Sequence, residues 1–329
     1  MRSRSSMGIN EICASLKKYN NFLITVHTSP EGDALGSQLA FRSLIKKMGK
    51  QATMVNEDKV PYGYDFLPGC KSIRLLNKSS KNIDFDCLAV LDCADLKRTG
   101  DVYKLNKDKL PVINIDHHIS NRNFGDVNWV QPYASSCSEM VYRLFKKLHL
   151  PLDYDSALAL YTGIMTDTGS FHYSNTSSFT FKVVAELLKF GINVTQVYRN
   201  TYENIPVSDA RLLLKLMSKV EFFCQGKVVG FQIKKDLVKS KKSFIDLADL
   251  LLNFGRSIKG VEVVVLFKEN LGNNCEVRVN LRSQGNVDVN KVASFFGGGG
   301  HKPAAGCTLN GKIETIVKKV IAKIQESLT

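Results

Sequence analysis

The chain has 329 residues, enough for two domains at ~100–200 residues each, with 44% hydrophobic and 23% charged residues. This composition excludes collagen-like, disordered and mucin-like chains, and no apolar run approaches the ~18 residues of a membrane span. Of the net charge of +14, residues 1–224 carry +6 and residues 225–329 carry +8, so the shorter C-terminal part is the more basic per residue and suits a polyanionic partner.

The opening MRSRSSMGIN is basic but no apolar stretch follows it, so residues 1–6 read as a frayed leader and not a signal peptide. FLITV (22–26) reads as a buried strand and DALGSQLAFRSLIKKMG (33–49) as the helix after it. CLAVLD (87–92) and VINID (112–116) are two more strands; 136–148, 154–166 and 177–190 read as helices. Alternation of strand and helix predicts a mainly parallel sheet with helices on both faces, and ligands then bind at the carboxyl ends of its strands. After about residue 205 the texture changes. A connecting helix is expected over 206–221, strands at 227–233, 261–267 and 276–282, and helices near 244–254, 288–296 and 312–327. The expected division is therefore a catalytic α/β domain over 1–205 and a smaller α/β domain over 222–329. The eight cysteines have irregular spacing and no CxxC pair, which reads as reduced thiols in a cytoplasmic protein and speaks against structural zinc.

The polar residues collect where the strands end. His27 follows the first strand, with Glu31 and Asp33 in the loop entering the next helix. Asp92 ends CLAVLD; Asp116, His117 and His118 end VINID; Asp167 closes the YTGIMT helix. Of six histidines, only His149 lies outside these clusters and the glycine-rich segment further on. On a parallel sheet these ends share one edge, and the converging carboxylates repel one another without cations. Two divalent ions resolve this, bridged by a shared Asp and holding a water between them. Carboxylate and imidazole donors without thiolate favour Mn²⁺, with Mg²⁺ as the alternative. A second constellation is RVNLRSQGNVDVNKVASFFGGGGHKPAAG (278–306), where Gly297–Gly300 precede His301 and Arg282 ends a strand. Four glycines can turn their N–H groups inward around an anion, and Arg offers phosphate a bidentate fork.

The segments HTSPEGDALGS, VLDCAD, NIDHH and GIMTDTGSF resemble the DHH phosphoesterase superfamily, and RSQGNVDVNKVASFFGGGGHKPAAG resembles its DHHA1 domain. Length and motif order resemble the NrnA-type subgroup of bifunctional oligoribonucleases (nano-RNases) and 3′-phosphoadenosine 5′-phosphate (pAp) phosphatases. The resemblance implies one metal held by His27, Glu31 and Asp92, and a second held by Asp33, Asp92, His117 and Asp167. Asp92 is then the bridge, Asp116 orients a histidine, and His118 faces the scissile phosphate. Arg282, Ser283, Gly299, Gly300 and His301 would grip the far end of the substrate, with Ser170 and His172 as contacts from the first domain. One departure is EGD in place of the commoner DGD, so Glu31 is expected to reach the metal by a shift of its loop. Short RNA, pAp and related nucleotides are the implied substrates, selected by a cleft between the domains; no membrane partner is implied, and a homodimer is the implied assembly. Rival readings are a single-strand DNA exonuclease, an exopolyphosphatase, a cyclic or linear dinucleotide phosphodiesterase, and a non-catalytic nucleotide-binding module. Whether KKDLVKSKK (234–242) is a nucleic-acid track or a solvated loop is not fixed by its composition, though the loop is the simpler reading.

Overall fold

A computed structural model describes residues 2–235, 247–270, 276–284 and 287–328, which form two compact units, Met1–Asn204 and Ile205–Thr329. In the first unit the helix α1 (Arg2–Lys18) precedes β1 (Asn21–Thr25), α2 (Gly32–Lys47), β2 (Gln51–Asn56), β3 (Arg74–Leu75), β4 (Cys87–Leu91), β5 (Val112–Asp116) and β6 (Val127–Val130). Four helices follow: α3 (Cys137–Lys147), α4 (Tyr154–Asp167), α5 (Ser178–Leu188) and α6 (Val194–Tyr202). The residues expected as a frayed leader thus lie in the first turns of α1, whose Ile12 and Leu16 are fully buried further along.

The six strands run parallel in the order β3-β2-β1-β4-β5-β6. From β1 the chain moves outward to β2, and from β4 it moves the other way to β5, so the switch point lies between β1 and β4. Strand alternation divides the core. Phe22, Ile24, Cys87, Ala89, Leu91, Ile113 and Ile115 face the helices, while Leu23, Leu88 and Val90 face a smaller cluster with Phe85 and Val102. This corrects the expectation of helices on both faces. Among the described residues, the second face is covered by the 3₁₀ turns Leu96–Thr99 and Val102–Leu105 and by the loop residues Leu76, Ile83 and Phe85. The segments between β2 and β5 are broken by Pro, Gly and Asn and offer no helical apolar stripe.

Two helix crossings bring the site together. A Cβ on Gly36 of α2 would lie 2.3 Å from the Ala159 carbonyl of α4, and one on Gly163 would lie 2.0 Å from Ser138 Oγ. Only glycine permits α2, α3 and α4 to approach this closely, and that approach sets the start of α2 beside the end of α4. Ser136 caps α3 and Asp153 caps α4 through bonds from Glu139 N at 3.0 Å and Ser156 N at 2.9 Å.

The second unit contains α7 (Val207–Met217), β7 (Glu221–Phe223), β8 (Val228–Ile233), α8 (Leu247–Ser257), β9 (Val263–Glu269), β10 (Glu276–Ser283), α9 (Val289–Phe295), β11 (Gly299–His301), β12 (Ala304–Asn310) and α10 (Ile313–Glu326). Its sheet runs β11-β12-β10-β9-β8-β7, with β8 and β9 parallel and the other pairs antiparallel. The stretch expected to connect the domains carries α7, whose Leu212 and Leu216 pack with Phe231, Leu251 and Leu266 inside this unit. The other sheet face packs Val265, Val279 and Leu281 against Val292 of α9 and Val320 of α10. Residues 236–242 of the basic run, the start of the helix expected near 244, and Cys275 lie outside the described residues. The seven described cysteines are free thiols, and no described helix is long and apolar enough to cross a membrane.

Candidate metal centre

The switch point carries a buried cluster of carboxylates and imidazoles. His27 stands two residues beyond β1, Asp92 directly follows β4, Asp116 ends β5 and His117 and His118 come next; Asp33 lies in the first turn of α2 and Asp167 is the last residue of α4. His117 is the hub. Its Nε2 lies 3.4 Å from Asp92 Oδ1, 3.6 Å from Asp167 Oδ2 and 3.8 Å from Asp33 Oδ2. Two sets of ligand atoms converge within 4.8 Å of one another, Asp33–His117–Asp167 and Asp92–His117–His118.

Asp92 sits at the centre with φ +51, a left-handed conformation that a side chain with a Cβ adopts only where its surroundings impose it. Its amide donates to Ile115 O at 3.0 Å, pinning the turn to β5. Asp92 Oδ1 is buried and accepts no hydrogen bond. Burial alone would raise its pKa, but His117 and His27 outweigh that and hold the carboxyl well below the usual carboxylate range. Asp33 shows the opposite balance. It is 1% exposed, and burial together with the Asp92 charge pushes its pKa up to about 6, against the pull of His117 and Ser138. Its two oxygens accept from Cys137 N at 2.6 Å and Ser138 N at 2.8 Å, so Asp33 closes the open end of α3 while facing the centre. Burial and the Asp33 charge raise the Asp167 carboxyl well above its ordinary value. Burial opposes a charge on His117, but Asp92, Asp167 and Asp33 override it and raise its pKa to about 10.

The imidazoles are oriented by their other nitrogens. His27 Nδ1 is 2.7 Å from Thr28 O, which leaves Nε2 facing Asp92 Oδ2 at 3.6 Å. His118 Nδ1 is 2.7 Å from Asp116 Oδ1, which directs its Nε2 away from that pair. Asp116 is fully buried and touches His118 but not His117. Its other oxygen accepts from Asn121 Nδ2 at 2.5 Å. The same amide donates to Asn114 Oδ1 at 2.8 Å and Cys93 O at 3.2 Å, so one side chain fastens the β4 turn to the β5 turn. Asn175 does likewise for Asp167, donating to Ser135 O at 2.9 Å and Asp167 O at 3.1 Å. None of these three asparagines belongs to the acid–histidine pattern that marks the site in the sequence. Asn114 had a visible signal, a polar side chain inside the apolar run VINID; Asn121 and Asn175 had none.

Glu31 behaves differently from the other proposed ligands. It is the exposed N-cap of α2, makes no capping bond with its side chain, and belongs to neither converging set. Its charge still raises the pKa values of Asp167 and of Tyr64, so it lies within electrostatic reach of both. Ser170 is half-buried three residues past Asp167, and His172 is exposed.

The residues of the second unit correct the glycine expectation. Gly297 N donates to Ser294 O at 3.0 Å and Gly298 N to Ala293 O at 2.9 Å, with Gly297 at φ +77. This is a helix-ending Schellman motif, so the first two N–H groups close α9 and do not wrap an anion. Gly299 and Gly300 pair with Gly306 and Ala305 in the exposed strand β11, which ends at His301. Register places Arg282, Ala304 and His301 in one row across the sheet. Ser283 points the other way: it is 3% exposed and its hydroxyl donates to Lys302 O at 3.4 Å. Arg282 lies 3.9 Å from Asp249 Oδ1. In this row His301 is exposed and Arg282 half-buried, while Ser283 faces the packed side.

The DHH family N-terminal domain matches residues 21–164 and the DHHA1 domain matches residues 239–326. The chain is 32% identical to the bifunctional oligoribonuclease and PAP phosphatase NrnA of Thermus thermophilus, over 93% of this chain and 90% of that protein. The chain belongs to the DHH family. Family membership makes it a metal-dependent hydrolase of phosphoester bonds. A probable bifunctional oligoribonuclease and PAP phosphatase NrnA of Streptococcus mutans is also 32% identical, over 90% of this chain and 91% of its own. Among solved structures, an exopolyphosphatase-related protein from Bacteroides fragilis superposes with TM-score 0.89 at 26% identity, covering 98% of this chain and 97% of that one.

Proposed function

We propose that this chain hydrolyses short oligoribonucleotides to mononucleotides and pAp to AMP, using two divalent ions with Mn²⁺ preferred. The observation that carries the metal assignment is Asp92 Oδ1, buried beside the His117 and His118 imidazoles and accepting no hydrogen bond. A buried carboxylate oxygen without a donor is costly, and a cation satisfies it. The donor set fits a hard-to-borderline ion. The nearest thiol, Cys137, donates to Ile115 O at 3.3 Å and is kept protonated by burial and the surrounding carboxylates.

Asp33, Asp92, His117 and Asp167 would hold one ion, and Asp92 with His27 the other, with Glu31 joining through its loop. When bound, such ions supply a nucleophilic water at neutral pH and neutralise the phosphate. The chain's own residues do the rest. Thr28 O and Asp116 Oδ1 engage Nδ1 of His27 and of His118, which orients both rings and leaves His27 Nε2 facing Asp92 Oδ2. His118 Nε2 then holds or delivers a proton at the phosphate or its leaving oxygen. Burial excludes bulk water around Asp33, Asp92 and Asp116, which strengthens each charge contact. Arg282 and His301 take a terminal phosphate or the next nucleotide. A cytoplasmic homodimer is the setting that the family resemblance carries over.

Initial rates on pAp and on pApA with Mn²⁺, with and without EDTA, test this reading. Hydrolysis of both, abolished by EDTA and restored by Mn²⁺, supports it. Hydrolysis of polyphosphate alone would move the chain to the exopolyphosphatase reading, which the Bacteroides fragilis likeness keeps in view.

A further inference from the structure

Directly after Asp167 the chain makes a turn that the mechanism above does not use. Gly169, Ser170 and Phe171 are consecutive and all left-handed, with φ of 56, 58 and 68. Residues with a Cβ adopt this conformation only under constraint. The constraint is visible: Ser170 N donates to Met165 O at 2.7 Å, Phe171 N to Thr168 Oγ1 at 3.1 Å, and Tyr173 N to Thr168 O at 2.9 Å. The turn organises aromatic rings. A Cβ on Gly169 would lie 2.5 Å from the ring of Tyr173, so that ring packs directly on the turn's backbone. Tyr202 lies within interaction range of Ser170 and Tyr173, and its ring centroid is 5.1 Å from that of Tyr198, one turn earlier on α6. Burial raises the Tyr64 and Tyr202 hydroxyls above their ordinary values and the charge of Glu31 adds to both, so both rings lie within electrostatic reach of the start of α2.

These rings are not core. Tyr173, Tyr198 and Tyr202 keep 43%, 40% and 39% of their surface exposed. Single exposed aromatics need no explanation. Three drawn from two elements and fastened to a strained turn that leaves a metal-ligand helix do.

We propose that Tyr173, Tyr198 and Tyr202 form a stacking wall for the nucleobase of the substrate, holding the nucleoside whose phosphate lies at the Asp33–Asp92–His117–Asp167 centre. This rests on the nucleotide reading above. Every base has an aromatic face, so stacking on tyrosine tolerates sequence, as an enzyme acting on short RNA of any sequence requires. The left-handed turn sets the wall at a fixed offset from Asp167. The wall belongs wholly to the first unit, so its contribution is separable from that of Arg282.

The test compares hydrolysis of pAp with that of its base-free counterpart, ribose 3,5-bisphosphate, by wild type, Tyr173→Ala, Tyr198→Ala and Tyr198→Phe. The expected result is a wild-type preference for pAp of about tenfold or more in kcat/KM. The alanine variants lose that preference through a raised KM for pAp alone, and Tyr198→Phe, which keeps the ring, retains it. Equal wild-type rates on the two compounds, or alanine variants that lose both activities in proportion, overturn the wall. If the alanine variants do not fold, calorimetric titration of wild type with AMP and with ribose 5-phosphate decides, and equal affinities overturn it. Wild type that hydrolyses neither pAp nor pApA shows that the nucleotide reading has failed and takes this inference with it.

Discussion

The two polar constellations of the chain differ in how they are built. The acid–imidazole centre is buried, drawn from five strand or helix ends, and held from behind: Asp33 by the α3 amides, His118 by Asp116, Asp167 by Asn175. The glycine-rich segment is exposed, local in sequence, and spends its first two amides on ending α9. A site assembled from distant residues needs rigid support, because its charges repel. A site made by one surface row, such as Arg282 and His301, needs only the sheet beneath it. Substitutions in the two places should therefore fail differently.

The largest effect is expected at Asp92. Asp92→Asn keeps the shape and tolerates the left-handed backbone, but removes the charge; kcat should fall by about 10³-fold or more, with Mn²⁺ binding weakened and the circular dichroism spectrum unchanged. Near-normal rates would break the bridging assignment. Next is Arg282→Ala, which should raise KM for pApA by about 10–100-fold, the worth of a charge-assisted phosphate contact, while Mn²⁺ binding measured by calorimetry stays as in wild type. Loss of metal in that variant would erase the distinction between the two regions.

A smaller, diagnostic effect concerns protons. In the metal-free protein the His117 pKa is raised to about 10 from 6.5, so the stability this charge contributes is fully present below 6.5 and is lost as pH rises through about 10. Metal ligation requires the neutral ring, so binding must expel that proton and metal affinity should rise with pH up to about 10. Calorimetry at pH 8 in buffers of different ionisation enthalpy should register about one proton released; none released would contradict the His117 hub. The smallest expected effect is Gly297→Ala. It should cost about 1 kcal/mol of stability at the left-handed cap, read as a lowered Tm, without changing Mn²⁺ affinity.

The converging residues themselves were legible in the sequence, because DHH-type motifs place acids and histidines immediately after apolar strands, and the short, continuously buried runs CLAVL and VINID mark those strands. Short elements were not. β6 has four residues, β11 has three, and α6 carries one buried position, Val197, too few for periodicity to register. The glycine run misled because glycine marks any left-handed or close-packed backbone, and here one helix cap and one sheet edge share it. Strand alternation turns Ser283 to the face opposite Arg282, which the register shows and the bare sequence does not.

Sequence by itself determined the order of the strands along the chain, the residue types at their ends and, through the resemblance of those motifs to the DHH family, a metal-dependent phosphoester chemistry. It did so because those properties are local: burial of an apolar run and the chemistry of the next side chain need no partner. Tertiary structure decided which atoms meet. The order β3-β2-β1-β4-β5-β6 puts His27 beside Asp92, Gly36 and Gly163 let α2 and α4 close on Asp33 and Asp167, and the left-handed turn after Asp167 packs against the Tyr173 ring. Such meetings depend on long-range register and on the absence of a Cβ at a crossing, and neither is written in any single stretch of the chain.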